Sequence, residues 1–257
     1  MLIKFKNHFT DGYNPIVKAD EKTDPTYMDF GLLNLKQNTM YIDSEKKEKV
    51  YLLLSGSAVF EAGDLKATLK RESIFDENPS CLHVDSRIEV KITSLSSYTD
   101  IVVIKTHNDV SFEPVFYFPE QCRTEERGKG TMNETATRIV RTIFDKSNAP
   151  LSNLVLGEVL TSPGKWSSYP PHFHAQPEIY YYRFIPENGF GYAGSGAEVF
   201  RISHNDAIKI TDSQSHPQVA APGYVMYYTW VIRHLDSNPY IQPVFEAEHK
   251  WVMDEGS

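Results

Sequence analysis

The chain has 257 residues, 40% of them hydrophobic and 12% aromatic, which is enough to bury one large β domain or two small ones and excludes wholesale disorder. Its 26 Lys and Arg against 34 Asp and Glu leave a formal charge of −8, which argues against non-specific nucleic-acid binding, because that needs a basic face to neutralise phosphates. No apolar run approaches the roughly 20 residues that cross a bilayer, and the start Met-Leu-Ile-Lys-Phe-Lys lacks a signal-peptide pattern, so a cytoplasmic protein with no membrane partner is expected.

In chain order, helical signals are sparse, and short apolar or alternating runs bounded by Gly, Pro, Asn, Asp and Ser recur throughout, the pattern of an all-β sandwich or barrel. Residues 1–25 read as an irregular lead-in with a short strand, punctuated by Asn7-His8, Asp11-Gly12 and Asn14-Pro15. Strands are predicted over 28–35, 39–41, 49–54, 56–61, 65–69, 81–84, 88–95 and 101–105. The run 53–60 reads as two strands joined at Gly56, the second returning beside the first. His83 stands alone and reads as a core or edge histidine, and Cys81 and Cys122, without metal-ligand spacing, read as reduced thiols. Residues 106–150 are the least regular. The charged, glycine-punctuated stretch 120–130 is predicted to be a solvated loop, with the strand period returning over 137–144. The division expected from this is an N-terminal barrel without metal over 1–120, and a metal-binding barrel with its connecting segment over 121–257.

The second half repeats the texture, with strands predicted over 151–160, 179–184, 197–202, 207–211, 217–220 and 224–232. Between the first two of these lies Tyr169-Pro-Pro-His-Phe-His-Ala-Gln-Pro-Glu178. Side chains at i and i+2 of an extended strand share a face, so His172 and His174 converge on one point and Glu178 keeps the same parity. His216, in Ser213-Gln-Ser-His-Pro217, offers a third imidazole. Three neutral imidazoles and a carboxylate suit one divalent transition metal, Zn first and then Mn, Fe or Ni, better than Ca or Mg.

His172-x-His174-x-x-x-Glu178 followed by a later His216 resembles the two-part metal motif of the cupin superfamily. A closer similarity runs through Trp166-Ser-Ser-Tyr-Pro-Pro-His-x-His174, Glu178-x-Tyr-Tyr, Gly189-Phe190, His216-Pro217, Pro222-Gly-Tyr224 and Tyr227-Tyr228. It is to the 5-deoxy-glucuronate isomerase family of myo-inositol catabolism, which is related to the uronate ketol-isomerases. The first half agrees more faintly, at Arg71-Glu-Ser-Ile-Phe75 and Glu126-Arg-Gly128 with Arg138. The resemblance implies a bicupin, two jelly-roll type β-barrels in tandem, with His172, His174, Glu178 and His216 as metal ligands in the second. It implies aldose–ketose isomerisation of a small anionic sugar, 5-deoxy-glucuronate to 5-keto-2-deoxy-gluconate. The chain departs from the family pattern at Ala175, where an Asp is usual, at Gln176-Pro177, where an insertion is common, and at Thr229-Trp230.

Such chemistry needs a Lewis acid and a general acid or base. The candidates are Glu178, as ligand and base, and the phenols of Tyr182 and Tyr228, with Tyr180 beside them. A substrate carboxylate in a protein of charge −8 needs a local cation, and the planar fork of Arg suits it. Arg183 has the wrong parity relative to Glu178 unless a bulge intervenes, so Arg138 and Arg141, on the connecting segment, lead as substrate-binding residues. Two other readings use the same ligand set, a cupin dioxygenase and a non-catalytic sugar-acid-binding cupin. The sequence leaves a homo-oligomer open.

Overall fold

The structure is a computed structural model and describes residues 1–5 and 9–253; the Asn7-His8 punctuation lies outside them. The described residues are organised as β-strands with three short 3-10 helices, which agrees with the all-β expectation, and no helix among them is long and apolar enough to cross a membrane. The chain divides into two units. Of the described residues, one comprises Met1–Phe5, Arg123–Thr142 and 155–253; the other comprises 9–122 together with Ile143–Leu154. The boundary expected at 120/121 therefore falls close to one junction, but two segments change sides. Leu2–Ile3 pairs antiparallel with Ala207–Ile210 of the second half, and residues 143–154 belong with the first. Neither exchange has a local signature, because strand partners far apart in sequence leave no mark on either partner's composition.

In the N-terminal unit the core lies between strands whose alternate residues point inward, among them Leu33, Leu35, Tyr51, Leu53, Phe60, Leu82, Ile92 and Val103. The expected reversal at Gly56 does not occur. Glu48–Ala62 is one strand of 15 residues, paired over its first part with Tyr98–Thr106 and over its second with Leu65–Arg71 and Val90–Ser94. The register shifts between Leu53 and Ser55, and Gly56 takes φ +95°; a Cβ there would stand 2.5 Å from the carbonyl oxygen of Tyr98. The glycine carries the strand from one sheet to the next by a bulge rather than turning it back. His83 is buried, and its Nε2 donates to Oε1 of Glu48 at 2.8 Å. Ser152, Asn108 and the Asn153 amide donate to the same carboxylate.

Among the described residues, the C-terminal unit is built of a seven-stranded sheet, a four-stranded one and a two-stranded pair. In the largest, Glu178–Ile185 and Val225–Arg233 lie side by side, with Ala207–Ile210 beyond the first and Leu154–Thr161, Arg138–Phe144 and Arg123–Arg127 beyond the second. The four-stranded sheet runs Trp166–Ser167, Gln218–Ala220, Phe190–Ser195, Glu198–Ser203. Val140, Val159, Tyr180, Tyr182, Phe184 and Tyr228 of the first sheet meet Ala193, Ile202 and Ala220 of the second in one core. The charged stretch predicted to be a loop contains an edge strand, Arg123–Arg127, every residue of it exposed. Its charge masked the strand signal, although charged side chains are how edge strands discourage further pairing.

Gly56→Ala should cost about 2 kcal/mol or more, because Ala meets both a disfavoured φ and a carbonyl at clashing distance. A urea midpoint equal to wild type would show that the strand can cross between sheets without the glycine.

Candidate metal centre

His172 lies on a two-residue strand, His172–Phe173, and Glu178 opens the strand Glu178–Ile185; His174 sits between them, and His216 leads into Gln218–Ala220. His174, Glu178 and His216 are all buried, and their ligand atoms lie within 4.8 Å of one another. Nε2 of His174 is 3.1 Å, and Nε2 of His216 3.3 Å, from Oε2 of Glu178. His172 adjoins this group through its ring, whose centroid is 5.0 Å from that of His216.

The three imidazoles share one arrangement. Nδ1 of His172 bonds to the carbonyl oxygen of Pro170 at 3.0 Å, Nδ1 of His174 to that of Gln176 at 2.8 Å, and Nδ1 of His216 to that of Gln214 at 2.9 Å. A carbonyl only accepts, so each Nδ1 carries a proton, and a neutral ring in that tautomer presents the lone pair of Nε2. Burial lowers the pKa of His172 from 6.5 to about 4, with His174 and Arg138 adding to the effect and the Pro170 carbonyl opposing it. Burial also lowers that of His216 from 6.5 to about 4, against the pull of Glu178. Nε2 of His216 is buried without a hydrogen-bond partner, although a carboxylate oxygen stands 3.3 Å away. A lone pair facing a carboxylate is repulsive unless a cation lies between them. The donor set and its orienting carbonyls thus fit a transition metal.

Below the ligands the barrel is floored with phenols. The Tyr180 and Tyr228 rings stack at 4.7 Å, and Ser168 Oγ lies 3.1 Å from the Tyr180 hydroxyl and 3.3 Å from that of Tyr228. Burial raises the pKa of all three tyrosines, so each phenol keeps its proton. Tyr182, a catalytic candidate from the sequence, is a support instead. Its hydroxyl donates to Gln218 Oε1 at 2.7 Å, and Gln218 Nε2 donates to the carbonyl of His216 at 2.8 Å. The strand period that puts Tyr182 on the inner face also sets it one step deeper than Tyr180.

The arginines separate by parity. Arg138 shares a face with the core residue Val140; its Nη1 and Nη2 donate to the carbonyls of Ala136 and Tyr169, both at 2.9 Å, and it lies directly across from Arg127 on the neighbouring strand. Arg141 has the opposite parity, and its guanidinium is 3.5 Å from buried Glu158, which also accepts from Tyr227 at 2.6 Å. Arg183 likewise points away, with Nε donating to the Tyr181 hydroxyl at 2.7 Å. Arg141 and Arg183 therefore do not reach the ligand cluster, as alternation requires once no bulge intervenes. Two residues escaped the sequence reading altogether. Tyr240 packs edge-on against His174 at 4.9 Å and Phe245 against His172 at 5.6 Å, the latter from the strand Val244–Phe245 that pairs with His172–Phe173. Their segment has no hydrophobic period that would mark it.

Comparison with known proteins decides the lineage. The KduI/IolB family model matches residues 1–252. The chain belongs to the KduI/IolB family. It is similar to proteins named 5-deoxy-glucuronate isomerase from Bacillus subtilis (strain 168), 24% identical over 90% of each chain, and from Bacillus licheniformis, 26% identical over 90% of each. Among solved structures it resembles an IolB-like protein from Salmonella typhimurium LT2, with TM-score 0.86 and 23% identity over 98% of each chain. It also resembles the oxalate decarboxylase of Lactobacillus farciminis, with TM-score 0.71 and 12% identity over 96% of this chain and 87% of that one. The fold is thus of the cupin type, all-β, and this KduI/IolB member is an enzyme of the isomerase class.

Two outcomes are expected. Elemental analysis should find about one transition metal per chain, and replacing His172 and His174 with Ala should remove it while far-UV circular dichroism stays unchanged. Metal-free protein should also lose stability as the pH falls from 6.5 toward about 4. His172 and His216 protonate near 6.5 when unfolded and near 4 when folded, so the unfolded chain binds more protons across that window. Urea midpoints at four pH values test it; a flat series would mean that these rings are not held neutral.

Proposed function

We propose that the protein is a metal-dependent aldose–ketose isomerase of a deoxy-uronate, converting 5-deoxy-glucuronate to 5-keto-2-deoxy-gluconate. The observation that carries this is the buried His/Glu cluster, with Arg138 close enough to act electrostatically on His172 and bonded to the carbonyl of Tyr169, in a chain whose relatives along 90% of its length are named for that isomerisation. A divalent transition metal held by His172, His174, Glu178 and His216 would supply the Lewis acidity that polarises a carbonyl and the hydroxyl beside it.

The chain's own residues do the rest. Arg138, with two of its nitrogens tied to backbone carbonyls, offers a fixed cation to a sugar carboxylate in a protein of net charge −8. Tyr228, whose hydroxyl is within the fields of both Arg138 and Glu178, is placed to give or take a hydroxyl proton. Tyr240 and Phe245 shield the imidazoles from water on the side of the C-terminal segment.

The N-terminal unit is proposed to be a structural barrel without its own metal. Its inner carboxylate Asp43 already has a built-in cation, with the Lys105 ammonium 2.6 Å away and also 2.7 Å from Glu45. Anomalous scattering should place one transition metal per chain, in the C-terminal unit.

Metal-loaded protein incubated with 5-deoxy-glucuronate and followed by NMR should show loss of the aldehyde and gain of the ketone. Arg138→Ala should raise KM about tenfold or more with metal content intact, whereas Arg183→Ala should leave KM unchanged. Equal KM values for wild type and Arg138→Ala would move the anchor elsewhere.

A further inference from the structure

Ser168 is the residue that the site's geometry singles out and that no step above uses. It lies between the edge strand Trp166–Ser167 and the segment carrying His172, and it is buried. Its backbone sits at φ +50°, in the left-handed region that side chains other than Gly adopt at a cost. A non-glycine residue held there, buried beside the His/Glu cluster, points to a side chain that is wanted in that place. That side chain is one hydroxyl between two others, with Oγ 3.1 Å from the Tyr180 hydroxyl and 3.3 Å from that of Tyr228. At one end of this chain the Tyr180 ring stands 5.7 Å from that of His216; at the other, Tyr228 lies in the field of Arg138. Tyr182, the third inner phenol, is committed to Gln218.

We infer that Tyr180, Ser168 and Tyr228 form a hydroxyl relay that carries a proton between the two substrate oxygens during isomerisation. The inference rests on the isomerase reading above. Conversion of an aldose to a ketose moves one hydrogen from the neighbouring carbon to the carbonyl carbon, and one from that neighbour's hydroxyl to the carbonyl oxygen. The relay handles the second transfer. The substrate hydroxyl gives its proton to one phenol oxygen as that phenol passes its own to Ser168 Oγ. Ser168 passes its proton to the other phenol, which protonates the carbonyl oxygen. The electron pair left at the first oxygen becomes the new C=O π bond, and the old π pair becomes the new O–H bond. No oxidant or reductant enters. A hydroxyl has one proton to give and lone pairs to accept with, so each member hands on a proton without acquiring net charge. That matters in a buried wall, where an isolated charge is costly.

The test is a pair of substitutions at Ser168. Ser168→Gly removes the hydroxyl yet accepts φ +50° more readily than Ser, so the lost hydrogen bonds and the relieved backbone oppose each other and the melting temperature should stay near wild type. Ser168→Ala removes the hydroxyl while its methyl keeps water out of the gap. Both variants should lose about a hundredfold in kcat, with KM and metal content unchanged. Tyr228→Phe should show a similar loss, and the double variant Ser168→Gly with Tyr228→Phe should be no slower than the worse single one, because a relay broken once is already broken. A wild-type kcat in Ser168→Gly overturns the relay. So does a kcat loss that comes with lost metal or a lowered melting temperature, or one that multiplies in the double variant. Wild-type enzyme that binds metal but does not isomerise the sugar acid removes the isomerase reading, and the relay with it.

Discussion

Glu178 is a carboxylate taken almost wholly out of water, at 2% exposure, and the C-terminal unit is organised around what its charge requires. Burying an ion without compensation costs several kcal/mol even after the surroundings relax. Here the groups facing it are the imidazoles of His174 and His216, whose Nδ1 atoms are committed to the carbonyls of Gln176 and Gln214, so that in the neutral rings the Nε2 atoms offer lone pairs. Carboxylate and lone pairs both attract positive charge and repel each other. The arrangement is balanced by a cation and by little else, which is why the orphaned Nε2 of His216 speaks for a metal more directly than the mere presence of three histidines.

The same carbonyls explain why an irregular segment carries the ligands. A regular strand would have spent its carbonyls on ladder bonds, whereas here those of Pro170, Gln176 and Gln214 are left to orient rings. The rigid strands then serve as the floor. Tyr180, Tyr182 and Tyr228 project from two paired strands into one core, Tyr182 bracing His216 through Gln218 while the other two meet at Ser168. Precision comes from the sheet, and chemistry from the loops that it holds.

Charge follows the same division. In a protein of net charge −8, any positive potential near the His/Glu cluster has to be supplied locally. The period-two geometry of a strand decides which arginines belong to it: Arg138 shares the inner face with Val140, while Arg141, three residues on, is turned to Glu158 on the other face.

Much of this protein was readable in its sequence. Strand punctuation marked an all-β chain, and the spacing of His174 and Glu178 marked two of the three side chains that the structure buries together, because both depend on local geometry that a few residues determine. The parity of Arg183 was readable for the same reason. What local sequence could not carry were relations between distant segments and the direction of the chain at its irregular points. Gly56 reads equally as a reversal or as a bulge, and only the partners available to each side of it made Glu48–Ala62 a single strand. Arg138 and Arg141 stand three apart on a predicted strand, so alternation already set them on opposite faces, but only the sheet shows that Arg138 shares the inner one with Val140; Leu2–Ile3, Phe245 and Tyr240 acquire meaning only beside strands and rings far from them in sequence. The sequence by itself determined which chemical groups are available and how neighbouring ones are spaced. The tertiary structure decided which of them meet, because burial and pairing energies between segments outweigh the preferences of any one segment.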